Sequence, residues 1–135
     1  MNDPTLDSTA SAQLVVGPAD LASAVSLGPQ DAFPAVFATA RMVALMEVAS
    51  ARLLHPLLGP GEMSVGVSID VNHTAPTPSG ATVTATARYT GRKGKLFLFE
   101  VTAADGGGEI GRGWHKRAID SADRLESGAA KRISQ

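Results

Sequence analysis

Three side chains in this 135-residue sequence carry chemistry that their neighbours do not call for. Glu47 lies in the run Ala38–Leu54, among Met42, Val43, Leu45, Met46, Val48 and Ala49. An unpaired carboxylate buried in such company costs several kcal/mol, so it must be paired, protonated or turned toward a cavity. Arg41 and Arg52 are the partners nearest in sequence. His73 follows Val71 by two residues at the end of an alternating stretch, which aims it at the same side as Val65, Val67 and Ile69. A histidine so placed is ordinarily structural. Thr39 stands where the helical run starts, a position that ordinarily caps a helix. Carboxylate, hydroxyl and imidazole are also the parts of nucleophilic and general acid–base catalysis.

Their spacing limits how they can cooperate. Thr39 and Glu47 are eight residues apart, about 12 Å along a continuous helix. Two groups so far apart do not address one carbonyl easily. Either the helix begins after Thr39, or Thr39 meets Glu47 of a second subunit; the second arrangement is the one expected here.

The elements that must position these groups follow from the pattern. A short apolar run from Gln13 to Val16 reads as a strand closed by Gly17-Pro18, and residues 19–34 read as a loop or short helix. Ala38–Leu54 has no Gly or Pro and is apolar on every side, so it reads as a buried helix ended by Pro56. Ser64–His73 alternates, with Val65, Val67, Ile69 and Val71 on one face; Ala81–Thr90 does the same. Gly91–Gly94 turns into Lys95–Ala104, and Asp105–Gly108 turns into Glu109–Ile119. One helix with hairpin-ordered strands is an α+β arrangement, an antiparallel sheet wrapped around a buried helix. A helix apolar all round needs more cover than one sheet supplies, and dimerisation provides it. The expected organisation is a disordered N-terminus over 1–11, a single domain over 12–120 and a polar, disordered C-terminus over 121–135.

Composition removes several classes of function. With 44% hydrophobic and 19% charged residues and a net charge of -1, the chain offers no electrostatic case for nucleic acid or an anionic membrane. The absence of cysteine excludes disulfides, thiolate nucleophiles and cysteine-based metal sites. His55, His73 and His115 lack metal-ligand spacing, so no metal is expected. Neither a signal peptide nor a membrane span is apparent, and a cytoplasmic setting is expected.

The blocks FPAVFATARMVALMEVASARLL, GEMSVGVSIDVNHTAPTPSG and EIGRGWHKRA resemble the fluoroacetyl-CoA thioesterase branch of the hot-dog fold, over Phe33 to Ile119. The resemblance implies hydrolysis of a short-chain acyl-CoA thioester, a homodimer with sites at or near the subunit interface, and no cofactor beyond the CoA of the substrate. It places the catalytic residues on Thr39, Glu47 and His73, substrate contacts on Gly66 and Arg117, and an aromatic beside the acyl pocket on Phe33. The region before Phe33 departs from the family, being shorter and lacking its basic and aromatic residues. Thioester hydrolysis therefore carries over better than selectivity for a fluorinated acyl group. The sequence also admits two other readings. Asp70 and His73 loosely resemble the pair of an enoyl-CoA hydratase, and hot-dog domains also serve as non-catalytic acyl-CoA-binding modules.

Overall fold

The computed structural model describes residues 3–134. Its chain runs β1 (Thr9–Val15), α1 (Thr39–Leu54), β2 (Glu62–His73), β3 (Thr82–Lys93), β4 (Leu96–Asp105), β5 (Gly108–Ser121) and α2 (Ala122–Ile133), with short 3-10 turns at Pro18–Asp20, Ala22–Val25 and His55–Leu57. All five strands form one antiparallel sheet in the order β1-β3-β4-β5-β2. Of the described helices, none is long and apolar enough to cross a membrane.

α1 forms because its sixteen residues are mostly Ala, Leu, Met and Arg, all good helix formers. It stops at Leu54 because Pro56 has no N–H to give the carbonyl one turn back. The face carrying Met42, Leu45, Met46, Ala49 and Leu54 is buried. It packs on Val83, Ala85, Ala87 and Tyr89 of β3 and on Phe97, Phe99 and Val101 of β4. Burial of each large side chain stabilises the fold by roughly 1.5–3 kcal/mol, and the alanines of β3 let the helix lie close. In β3 the alternation is regular, with Thr84, Thr86 and Arg88 on the outer face. The opposite side of α1 has no cover in one chain, and Val48 is 43% exposed.

β2 departs from the simple alternation. Its register against β5 passes from Gly66–Arg117 to Ser68–Lys116, so Val67 is the extra residue of a β-bulge. The bulge switches parity: Ser64 and Gly66 face α1 before it, and Ile69, Val71 and His73 face α1 after it, opposite Ile119, Arg117, His115, Gly113 and Gly111. Val65 therefore does not share the inner face with Ile69. Val67 is 53% and Ile69 39% exposed on this edge strand, where a cavity also walled by Val43 and Glu47 of α1 opens beside them.

Among the described residues both end segments carry secondary structure where disorder was expected; Met1, Asn2 and Gln135 lie outside the described residues. β1 starts at Thr9 because it pairs residue by residue with β3 from Thr9–Arg88 to Val15–Thr82. Asp7 also holds Arg88, which in turn holds Glu100. At the other end Ser121 caps α2 by accepting from the Arg124 N–H. Acidic Asp123 in its first turn and basic Lys131 and Arg132 in its last suit the helix dipole. α2 buries none of its residues, so composition and capping rather than a core make it helical.

Candidate active site

Thr39 is the first residue of α1, but the N-cap is Ala38, whose side chain caps nothing. The Thr39 hydroxyl goes instead to His73, with Oγ1 at 2.8 Å from Nδ1. His73 reaches it from the last position of β2. The far side of that ring is closed: Nε2 is buried without a hydrogen-bond partner, and Phe37 meets the ring edge-on at 6.5 Å. His73 thus presents Nδ1 to the Thr39 hydroxyl.

Glu47 lies two turns further along the same helix, which is continuous through Thr39. The possibility that the helix begins after Thr39 is removed. The partner of Glu47 is neither Arg41 nor Arg52 but Arg117 of β5, whose Nη1 donates to Oε2 at 3.0 Å. Arg117 is 6% exposed. It also donates from Nε to the Ser64 hydroxyl and from Nη2 to the Ser64 carbonyl, both at 3.0 Å. Arg52 is engaged by the Ser11 carbonyl.

Gly66 supplies the space for that carboxylate. A Cβ on residue 66 would fall on Glu47 Oε2, so only glycine lets α1 bring the acid this close to β2. Beside it opens a cavity of about 250 Å³ walled by Val43, Glu47, Gly66, Val67, Ser68, Ile69 and His115. A larger recess of about 420 Å³ lies near Gly106–Glu109, but its ionisable groups are only Asp105 and Glu109. Asp105 is occupied by the Thr77 hydroxyl and the Gly107 N–H, which hold it below the usual carboxylate range. The smaller cavity has a carboxylate and an imidazole, Glu47 and His115, together in its wall.

The histidine of that cavity is His115, not His73. Its Nδ1 lies 2.8 Å from the Ser68 carbonyl oxygen and its Nε2 3.2 Å from Arg117 Nη1. Burial pushes its pKa below the ordinary 6.5; the Ser68 hydrogen bond opposes this, Arg117 adds to it and Glu47 offsets it. Within one chain, then, the expected residues fall into two groups. Thr39 and His73 meet at one end of the groove between α1 and β2; Glu47, Gly66 and Arg117 meet at the other. Phe33 belongs to neither: it is 49% exposed on the loop before α1 and does not line the cavity. Ser64 was not among the expected site residues; His115 shares strand parity with Arg117, which allows both to approach one site, although a structural role was the expectation for it.

The chain is similar to known proteins. A family model described as fluoroacetyl-CoA-specific thioesterase matches residues 16–123. The chain belongs to that family. A fluoroacetyl-CoA thioesterase from Streptantibioticus cattleyicolor is 52% identical over 95 residues, which is 70% of this chain and 68% of that protein. A crystal structure of a mutant fluoroacetyl-CoA-specific thioesterase superposes with a TM-score of 0.91 at 36% identity, covering 98% of this chain and 99% of that one. A Thermus thermophilus member of the thioesterase superfamily reaches 0.86 at 26% identity, over 99% and 96% of the two chains. The hot-dog fold of the family is thus the fold of this chain, its curled antiparallel sheet packed on α1.

Proposed function

We propose that this chain hydrolyses short-chain acyl-CoA thioesters to the free acid and CoA, with Thr39, Glu47 and His73 as catalytic residues and Gly66, Arg117 and Phe33 on the substrate side. The observation that carries the reading is the carboxylate of Glu47 at a cavity wall with one oxygen committed and the other not. Oε2 is held by Arg117, while Oε1 makes no hydrogen bond among the described residues. An oxygen so placed can take a proton from water or attack a carbonyl itself. In the first route the water oxygen bonds to the acyl carbon, the C–S bond breaks, and the thiolate of CoA leaves and is protonated. In the second, an oxygen of Glu47 or Thr39 bonds to the acyl carbon, the C–S bond breaks and the CoA thiolate leaves and is protonated, and water then cleaves the acyl adduct to release the acid. The Thr39–His73 pair is a hydroxyl with a base at 2.8 Å, suited to attack or to the proton transfers.

The reading includes a homodimer that joins the two groups. Thr39 and Glu47 are centred on Val43 of α1, and His73 and Gly66 are centred beside Ile69 of β2; the two elements run in opposite directions. A two-fold axis near Val43 and Ile69 therefore lays the Thr39–His73 end of one chain over the Glu47–Gly66 end of the other. It also pairs the open edge of β2 with its copy and covers the exposed Val67, Ile69 and Val48. A cytoplasmic setting accords with a CoA substrate and a chain without cysteine.

A second reading draws on the ion pair itself. A carboxylate neutralised by Arg117 also suits a domain that binds acyl-CoA without turning it over. Release of free thiol from acetyl-, fluoroacetyl- and longer acyl-CoA separates the two: turnover lost in Glu47→Gln supports the hydrolase, while tight binding with no thiol from any substrate rejects it.

A further inference from the structure

The hydrogen bonds around His115 leave it one protonation state. A carbonyl oxygen can only accept, so the contact with Ser68 requires a hydrogen on Nδ1. A guanidinium can only donate, so the contact with Arg117 requires a lone pair on Nε2. Both hold only in the neutral Nδ1–H tautomer. Nη1 of Arg117 has two hydrogens, and the structure uses both, one on Glu47 Oε2 and one on His115 Nε2. Ser64 takes Nε and Nη2. The guanidinium is thus tied to β2, β5 and α1 at once.

This bears on the acid. An arginine beside a carboxylate tends to engage both oxygens through two parallel hydrogen bonds. Here Nε and Nη2 are held by Ser64 and the second hydrogen of Nη1 by His115, so a single Nη1 hydrogen reaches the carboxylate and Oε1 is left to the cavity. We propose that His115 is a positioning residue of the hydrolytic site, whose Nε2 lone pair, together with Ser64, holds Arg117 so that it grips a single oxygen of Glu47. The inference rests on the hydrolase reading above and names a residue that acts through Arg117 without touching the reacting atoms.

The same geometry makes the device sensitive to acid. A proton on Nε2 would turn the acceptor into a donor facing a donor and set a second cation against Arg117. The charged groups facing the ring are Arg117 on its own strand and Glu47 from α1; β4 presents Phe99 at 6.3 Å and β2 the Ser68 carbonyl. Burial keeps the ring neutral to a pH below that of an ordinary histidine.

Two substitutions separate the ring's contacts. In His115→Asn the short amide reproduces the Nδ1 contact with Ser68 and loses Arg117; in His115→Gln the longer amide reaches the Nε2 position and can accept from Arg117. With acetyl-CoA, His115→Asn is expected to lower kcat by about tenfold or more with little change in KM, and His115→Gln to stay within about threefold of the wild type. His115→Gln should also lose any acid limb of kcat that belongs to the ring. Equal losses in the two variants, or no loss in either, overturn the proposal. Ring nitrogen shifts of wild-type His115 give a reading that needs neither folding of a variant nor turnover. Nδ1–H with an accepting Nε2 at neutral pH is expected; the other tautomer, or a charged ring, overturns it. If the wild type releases no thiol from any acyl-CoA, the hydrolase reading and the positioning role fall together, whereas wild-type turnover with unaffected variants removes the positioning role alone.

Discussion

Oε2 of Glu47 occupies the volume that a Cβ on Gly66 would fill. The helix and the edge strand are in contact there through a carboxylate and bare backbone, which brings the acid close enough to β2 for Arg117 to reach it from β5.

Gly66→Ala is the smallest test of that relationship. The methyl group must displace the carboxylate end of Glu47, and a displacement of about 1 Å at a reacting group can cost on the order of 100-fold in rate. Thiol release should fall by about that much, with the far-ultraviolet circular dichroism unchanged.

Glu47→Gln keeps the shape and removes the proton-accepting oxygen. The rate should fall by about 10²–10⁴, the range of a general base. Melting temperature should change little, since the side chain is 41% exposed and the glutamine oxygen can still accept from Arg117. Mass spectrometry of rapidly quenched wild type then separates the two routes. An acyl adduct on Glu47 or Thr39 marks the covalent one, and turnover without any adduct marks direct attack by water.

His115 predicts a pH dependence of stability with a definite sign. Burial depresses its pKa in the folded state below 6.5, so the unfolded chain binds the proton more readily. The stability tied to the neutral ring is fully present above 6.5 and is lost as pH falls from 6.5 through the depressed folded value. This window lies above that of Asp105 and Glu109, which hydrogen bonds hold below 3.8 and 4.5. Thermal melts from pH 7 to 5 should show a decline that is smaller in His115→Gln. An equal decline in both proteins would assign it to other groups.

Much of this was legible in the residues, and the remainder was hidden for identifiable reasons. The unbroken apolar run of α1 and the Thr–Val–Thr–Ala alternation of β3 are local signals, and both elements form where they predict. The parity of β2 was misread because Val65 and Val67 continue the apolar period straight across the bulge, and only pairing with β5 reveals the extra residue. The Glu47 partner was sought among Arg41 and Arg52 because helical spacing is visible in sequence; Arg117 lies seventy residues away and arrives through strand register. Thr39 looked like a cap, yet its hydroxyl goes to a histidine from the sheet. α2 was missed because it has no buried face, the feature by which helices are recognised.

The central claim, a site assembled from two chains, is tested by mixing two disabled proteins. Thr39→Ala and Glu47→Gln should each be inactive alone. If the site takes Thr39 from one chain and Glu47 from its copy, every mixed dimer has one intact site and one doubly damaged site. Equimolar mixing after dissociation and reassembly should then restore about a quarter of wild-type thiol release, because about half the dimers are mixed and each has one working site of two. A mixture as inactive as its components, with mixed dimers shown to be present, would contradict the account.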